Sequence, residues 1–386
     1  MSVSHYARMS LKSVDCHVAD RIDSSTAVCG RHALLAGPGC LDEVRGRVAS
    51  ALNTTIPHVS IESYRIGFSG WVLRCTGTAD GTRFFAKILL ADPYPVPPRF
   101  ATPWEELASP AKLQRPVEEQ ILTEWRMASE MRARVGGESI PTPLGCSLDD
   151  RTLVFQEVVG TRLDRFASWA WPLSRRRQST ETAIFHAGVW LRAVHDSSPQ
   201  GCETIEFLEV VEALRGLIRQ KELQGTLYAQ RALKAVESLG QILSPRTTLH
   251  IPVALNHGDF SLPNLIWDAD REHLWVVDFE LSARKAILHD LCMMIFELRK
   301  PLLYPHTSRS AVQAYEHAFW AGYGAIAEDL FVCVNSLATA RLFYLSFPKI
   351  LTLPKRRGWR GWIKATLYKR LFQRFAASRI LQASGL

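Results

Sequence analysis

The first residues lack the apolar core of a secretion signal, and no stretch of the 386 residues reaches ~18 uninterrupted apolar positions. The nearest approach, residues 331 to 354, is broken by Asn335, Arg341 and Lys349. A membrane-spanning helix is therefore not expected. The eight cysteines form no C-x-x-C pair and no ribbon spacing, which argues against a zinc site or a disulfide framework. Reduced thiols in a cytoplasmic protein fit better. Internal repeats are missing, and 47% hydrophobic residues is the content of an ordinary globular chain. Acidic residues are missing from one end. From Lys349 to Leu386 there are ten Lys or Arg and no Asp or Glu, so the net +8 of the chain becomes −2 without this tail.

What is present is concentrated in one loop. His257-Gly258-Asp259-Phe260-Ser261-Leu262-Pro263-Asn264 follows the apolar run Val253-Ala254-Leu255, and Asp278 comes fourteen residues after Asn264. Leu265-Ile266-Trp267 and Leu274-Trp275-Val276-Val277 read as two short buried strands joined by the polar turn Asp268 to Arg271. Asp259 and Asn264 are thus expected on a loop entering a hairpin, with Asp278 at its exit, the three groups converging. One carboxylate for a substrate hydroxyl, with an amide and a second carboxylate for Mg²⁺, is the minimum for moving the γ-phosphoryl of ATP.

Protein kinases anchor this arrangement on His-Arg-Asp and Asp-Phe-Gly. Here Gly258 stands in place of the arginine, and Asp278-Phe279-Glu280 in place of Asp-Phe-Gly. The pattern resembles the aminoglycoside phosphotransferase and choline kinase superfamily, the small-molecule branch of the protein-kinase-like fold. The resemblance implies an α+β, two-lobed protein-kinase-like chain with a small antiparallel-sheet N-lobe and a larger, mainly helical C-lobe.

Other parts follow in the order that the resemblance implies. Tyr64 to Arg74 looks like two strands joined by the small-residue turn Gly67-Phe68-Ser69-Gly70, whose backbone N–H groups suit phosphates, although an ordinary hairpin turn fits as well. Lys87 is the lone lysine in the apolar strand Phe84 to Leu90; either it snorkels or it meets phosphates. In kinases such a lysine pairs with a glutamate on the next helix. Glu124, in a helix from Gln120 through Met131, is the expected partner, ahead of Glu118 and Glu119. Thr152 to Gly160 resembles the last N-lobe strand and hinge, placing adenine on the backbone of Glu157 and Val158. His257 is read as orienting its loop. Asp290 falls where the family has an aspartate that supports the catalytic loop.

The expected divisions are an N-terminal extension (1–45), a nucleotide-binding N-lobe (46–160), a C-lobe with the acceptor pocket (161–348) and a basic tail (349–386). Helices are expected at 41–52, 180–195, 207–224, 227–243, 291–298, 310–323 and 325–344. The acceptor is a small-molecule hydroxyl of the aminoglycoside, choline or sugar type. Glu203, Glu206, Glu209 and Glu212 would suit a cationic acceptor or form a solvated helix face; Arg175-Arg176-Arg177 would suit an anionic one. In the tail, Ile363, Leu367, Tyr368, Leu371, Phe372 and Phe375 share a helical face, with Trp359 and Trp362 just ahead. That face would dock on the C-lobe or lie on an anionic membrane at its inner, cytoplasmic side. Nucleic acid is the least favoured partner. The alternatives to a soluble kinase are a membrane-surface kinase of a lipid or glycan precursor, and a non-catalytic nucleotide-binding module.

Overall fold

The structure is a computed structural model that describes residues 16–17, 38–54, 58–66, 70–78, 80–89, 116–167, 175–206, 237, 248–303 and 307–338. Gly67, Ser69, the segment 91–115, the helices expected at 207–224 and 227–243, and the basic tail lie outside the described residues.

Two compact units are present. The first comprises residues up to 95, 114–160 and the seven-residue segment Trp275–Leu281; the second includes 161–274 and continues from Ser282. Asp278 therefore packs with the first unit, although the residues on either side of its segment belong to the second.

In the first unit, β1 (Cys16–His17), β2 (Val59–Ile66), β3 (Gly70–Gly77), β4 (Arg83–Leu89), β5 (Pro143–Ser147) and β6 (Thr152–Gln156) form one antiparallel sheet in the order β1-β2-β3-β4-β6-β5. Alternation along β4 buries Phe84, Ala86 and Ile88. Helix α1 (Pro38–Ala51) covers these residues with Val44, Val48 and Ala49, making a core that includes Leu73, Cys75 and Val154. Helix α2 (Val117–Val135) has no side-chain N-cap, but Glu118 and Glu119 stand in its first turn and Arg132 and Arg134 in its last, complementing the helix dipole. Its inward stripe, Val117, Ile121, Glu124, Ala128 and Met131, repeats at three or four residues. Glu124 is the carboxylate in that apolar stripe.

The second unit holds two small sheets. One is ordered β11-β10-β7 from β7 (Thr161–Arg162), β10 (Leu265–Asp268) and β11 (His273–Val276); the other is ordered β12-β9-β8 from β8 (Cys202–Glu206), β9 (Thr248–Asn256) and β12 (Ala283–Ala286). Glu203 and Glu206, read from sequence as one candidate helix face, instead lie on β8, where Glu203 accepts a hydrogen bond from the Ala286 N–H at 3.2 Å. Its helices include the short α3 (Leu163–Phe166), α4 (Arg175–Asp196), α5 (Leu288–Arg299), α6 (Arg309–Tyr323) and α7 (328–338). Every residue of α5 is buried. Its terminal Arg299 is satisfied there by both Glu316 oxygens, at 2.8 and 2.7 Å, and by Asn335. Helices α4 and α6 approach through glycines: a Cβ on Gly188 would run into the Phe319 carbonyl oxygen, and one on Gly322 into that of Phe185.

Candidate active site

Lys87 lies in the first unit on β4, opposite Val72 of β3 and Leu153 of β6. Its Nζ is 2.8 Å from Glu124 Oε2, 2.7 Å from Asp278 Oδ1 and 3.0 Å from Glu280 Oε2. Of the three glutamates considered from sequence, Glu124 holds this contact. Three carboxylates around one ammonium set the electrostatics. Burial works against the charged lysine, yet Asp278, Glu124 and Glu280 hold its pKa well above the usual lysine value. Glu124 is pushed up to about 7, first by burial and further by Asp278 and Glu280, with Lys87 pulling the other way. Asp278 itself has φ 74°, an uncommon left-handed backbone for a residue with a side chain.

Glu280 was not singled out in sequence as a site residue. The signal was its place in Asp278-Phe279-Glu280, a second carboxylate two residues after the first with an apolar residue between them. Ligand oxygens of Glu124, Asp278 and Glu280 all lie within 4.8 Å of one another, gathered around the Lys87 ammonium.

Glu157 pairs with Arg74 at 3.0 Å, and its backbone N–H donates to the Arg83 carbonyl at 3.2 Å. Val158 is buried, and Gly70 opens β3 opposite Leu89.

In the second unit β9 delivers the loop. Gly258 has φ 85°, where an arginine side chain would be strained, a physical reason for glycine at this position. Asp290, in the first turn of α5, receives the backbone N–H of His257 on Oδ2 at 2.6 Å and that of Gly258 on Oδ1 at 2.9 Å. His257 Nδ1 accepts the Asp259 N–H at 3.3 Å, and Ser282 donates its hydroxyl to the His257 carbonyl at 2.8 Å. With Nδ1 used as an acceptor, the His257 ring supports the loop. Phe260, fully buried, stacks on Trp190 with 5.5 Å between centroids and anchors the loop in the core. The Asn264 amide nitrogen donates to the Asp259 backbone oxygen at 2.9 Å and to Oδ2 at 3.0 Å. Both amide hydrogens are thereby used, which leaves the amide oxygen as the atom for a metal. The loop thus holds a 9%-exposed carboxylate and a metal-competent amide in fixed relation.

A family model described as "Phosphotransferase enzyme family" matches residues 111–330, more than half of the chain. The protein belongs to the phosphotransferase enzyme family. That span includes Glu124, the Asp259 loop, Asp278 and Asp290, while Lys87 precedes it. Among solved structures, the chain resembles an aminoglycoside-3'-phosphotransferase of type VIII at 20% identity and TM-score 0.42, covering 74% of this chain and 93% of that one. An ethanolamine kinase from Plasmodium vivax aligns at 10% identity and TM-score 0.47, covering 90% and 89%. An amicoumacin kinase in complex with AMP-PNP and Ca²⁺ aligns at 11% identity and TM-score 0.48, covering 87% and 92%. No curated protein matches the sequence.

Proposed function

We propose that this phosphotransferase moves the γ-phosphoryl of ATP to a hydroxyl of a small molecule of the aminoglycoside, choline or sugar type. The observation that carries the reading is the loop in which Asp259 and Asn264 are locked together, with Asp290 holding its backbone. Asp259 orients the acceptor hydroxyl and takes its proton. Lys87, fixed by Glu124, meets the phosphates, and the backbone of Gly67, Ser69 and Gly70 covers them. Glu157 and Val158 hold adenine. Asn264 and Asp278 are the Mg²⁺ ligands; when bound, the ion would neutralise charge on the transferring phosphate. His257 and Asp290 support the loop.

The test is Asp259→Asn. Transfer to the best acceptor from a screen of hydroxyl compounds should fall by about 10²–10⁴-fold, while calorimetric titration with Mg·ATP stays near wild type. Unchanged turnover would remove Asp259 as the base. A second reading, action on a lipid or glycan precursor at a membrane surface, is favoured by one observation, the acid-free cationic sequence of the tail with aromatic residues at helical spacing.

A further inference from the structure

The end of α6 and the start of α7 enclose an open notch of about 580 Å³, a volume within the range of small-molecule sites. No residue of the Asp259 loop lines it. Its walls include His317 and Trp320 of α6, Ile326 of the connecting turn, and Glu328 and Phe331 of α7. The Trp320 and Phe331 rings lie 5.3 Å apart between centroids at 57°, and Phe331 is 41% exposed, so the notch has an open aromatic wall.

The fixed charge around this wall is negative. Glu328 is exposed in the first turn of α7 and makes no hydrogen bond or ion pair among the described residues. Helix α6 ends here, and the carbonyl end of a helix carries about half a negative charge. The start of α7 contributes the opposite partial charge, but the two full charges of Glu328 and Asp329 outweigh it. None of the lining residues is Lys or Arg. Beside the notch the chain already seats one cation of its own. The Arg192 guanidinium of α4 lies 5.6 Å from the centre of the Tyr323 ring, donates to the Ala325 carbonyl at 3.4 Å and is balanced by Asp196 at 2.6 Å. A ring face, a carbonyl beyond the end of α6 and a carboxylate hold that cation. The notch repeats the set with Trp320 and Phe331, the end of α6 and Glu328, and its own lining supplies no cation to fill it.

We propose that the notch between α6 and α7 binds a small organic ammonium ion, seated on the Trp320 and Phe331 rings with Glu328 as its counter-ion. A ring face attracts a cation through its quadrupole, tryptophan most strongly, and alkyl groups on the nitrogen bury against Ala325 and Ile326. An anion would meet a carboxylate and two electron-rich faces. A neutral apolar ligand would desolvate Glu328 and give it no partner. The site uses none of the residues assigned to phosphate transfer and stands apart from that reading.

Trp320 reports on the notch directly. In the full chain labelled on tryptophan nitrogen, its indole N–H resonance, assigned by its loss in Trp320→Phe, should shift and saturate on titration with tetramethylammonium chloride at constant ionic strength. The expected Kd is on the order of millimolar. Tetramethylammonium has no hydroxyl, so it cannot be consumed as an acceptor. tert-Butanol, neutral and of similar size, should bind about fivefold more weakly. Glu328→Gln and Phe331→Leu, both at exposed positions, should each weaken binding of the cation about two- to fivefold. Asp259→Asn should leave it unchanged. A resonance that does not move in the full chain, as when a second copy or the chain's own cations fill the notch, would overturn the site. Equal binding of tert-butanol, or full affinity in Glu328→Gln, would overturn the choice of a cation, and full affinity in Phe331→Leu the seat on the rings. Loss of the shift in Asp259→Asn would move the ammonium to the acceptor position and remove the notch as its site.

Discussion

A single ammonium facing three carboxylates makes Lys87 the residue on which the charge balance of the first unit turns. The folded chain raises Glu124 from the ordinary 4.5 to about 7. A carboxyl raised in this way contributes stability that is fully present below about 4.5 and is lost as pH climbs through about 7. Lys87, also raised, keeps its contribution across that whole window. Glu124→Gln mimics the protonated carboxyl, so its melting temperature relative to wild type should increase from pH 5 to pH 8. Thermal unfolding at both pH values checks this, and an identical difference at the two would mean that Glu124 does not titrate there. In the other unit the pattern is reversed, with one carboxylate, Asp290, serving several donors and remaining ionised.

At the level of elements, the α4–α6 crossing is the tightest helix contact described. Gly188→Ala places a Cβ against the Phe319 carbonyl and 2.7 Å from the Tyr323 nitrogen, so the helices must move apart. Overpacking of this kind costs about 1–3 kcal/mol, read as a lower midpoint in urea. Val189→Ala, on the neighbouring 42%-exposed position, should stay within about 0.5 kcal/mol. The crossing also shows where sequence reading runs out. The apolar run of β4 and the three-to-four spacing in α2 and α6 are local, and those elements were legible to within a few residues. The Lys87–Glu124 contact was legible because each is a charge inside an apolar stretch. His195 ends an ordinary amphipathic helix, and what distinguishes it, a hydrogen bond with the Tyr323 hydroxyl 128 positions away, has no local trace. β8 was misread for the same reason: its strand character comes from pairing with β9, Cys202 opposite Pro252 and Glu206 opposite Thr248.

For the whole molecule, charge is the property that separates tail from body. No helix among the described residues is long and apolar enough to cross a membrane. Each Lys or Arg near an anionic surface contributes about 1 kcal/mol, so half of the ten would suffice for measurable adsorption. If the tail is a surface anchor, the full chain should sediment with phosphatidylserine-containing vesicles at low salt and the chain lacking 349–386 should not. Equal pelleting of the two would assign the cations to another task. The first unit has a different dependence on the chain as a whole. It recovers Trp275–Leu281 only after the polypeptide has passed through more than a hundred residues of the second unit. During synthesis, Lys87 therefore waits with Glu124 as its sole carboxylate partner of the three until Asp278 and Glu280 leave the ribosome. A fragment ending at Gly160 would keep all six strands of its sheet yet lack two of the charges that balance its buried lysine, so the small unit should be an obligate late folder rather than a module that can be moved on its own.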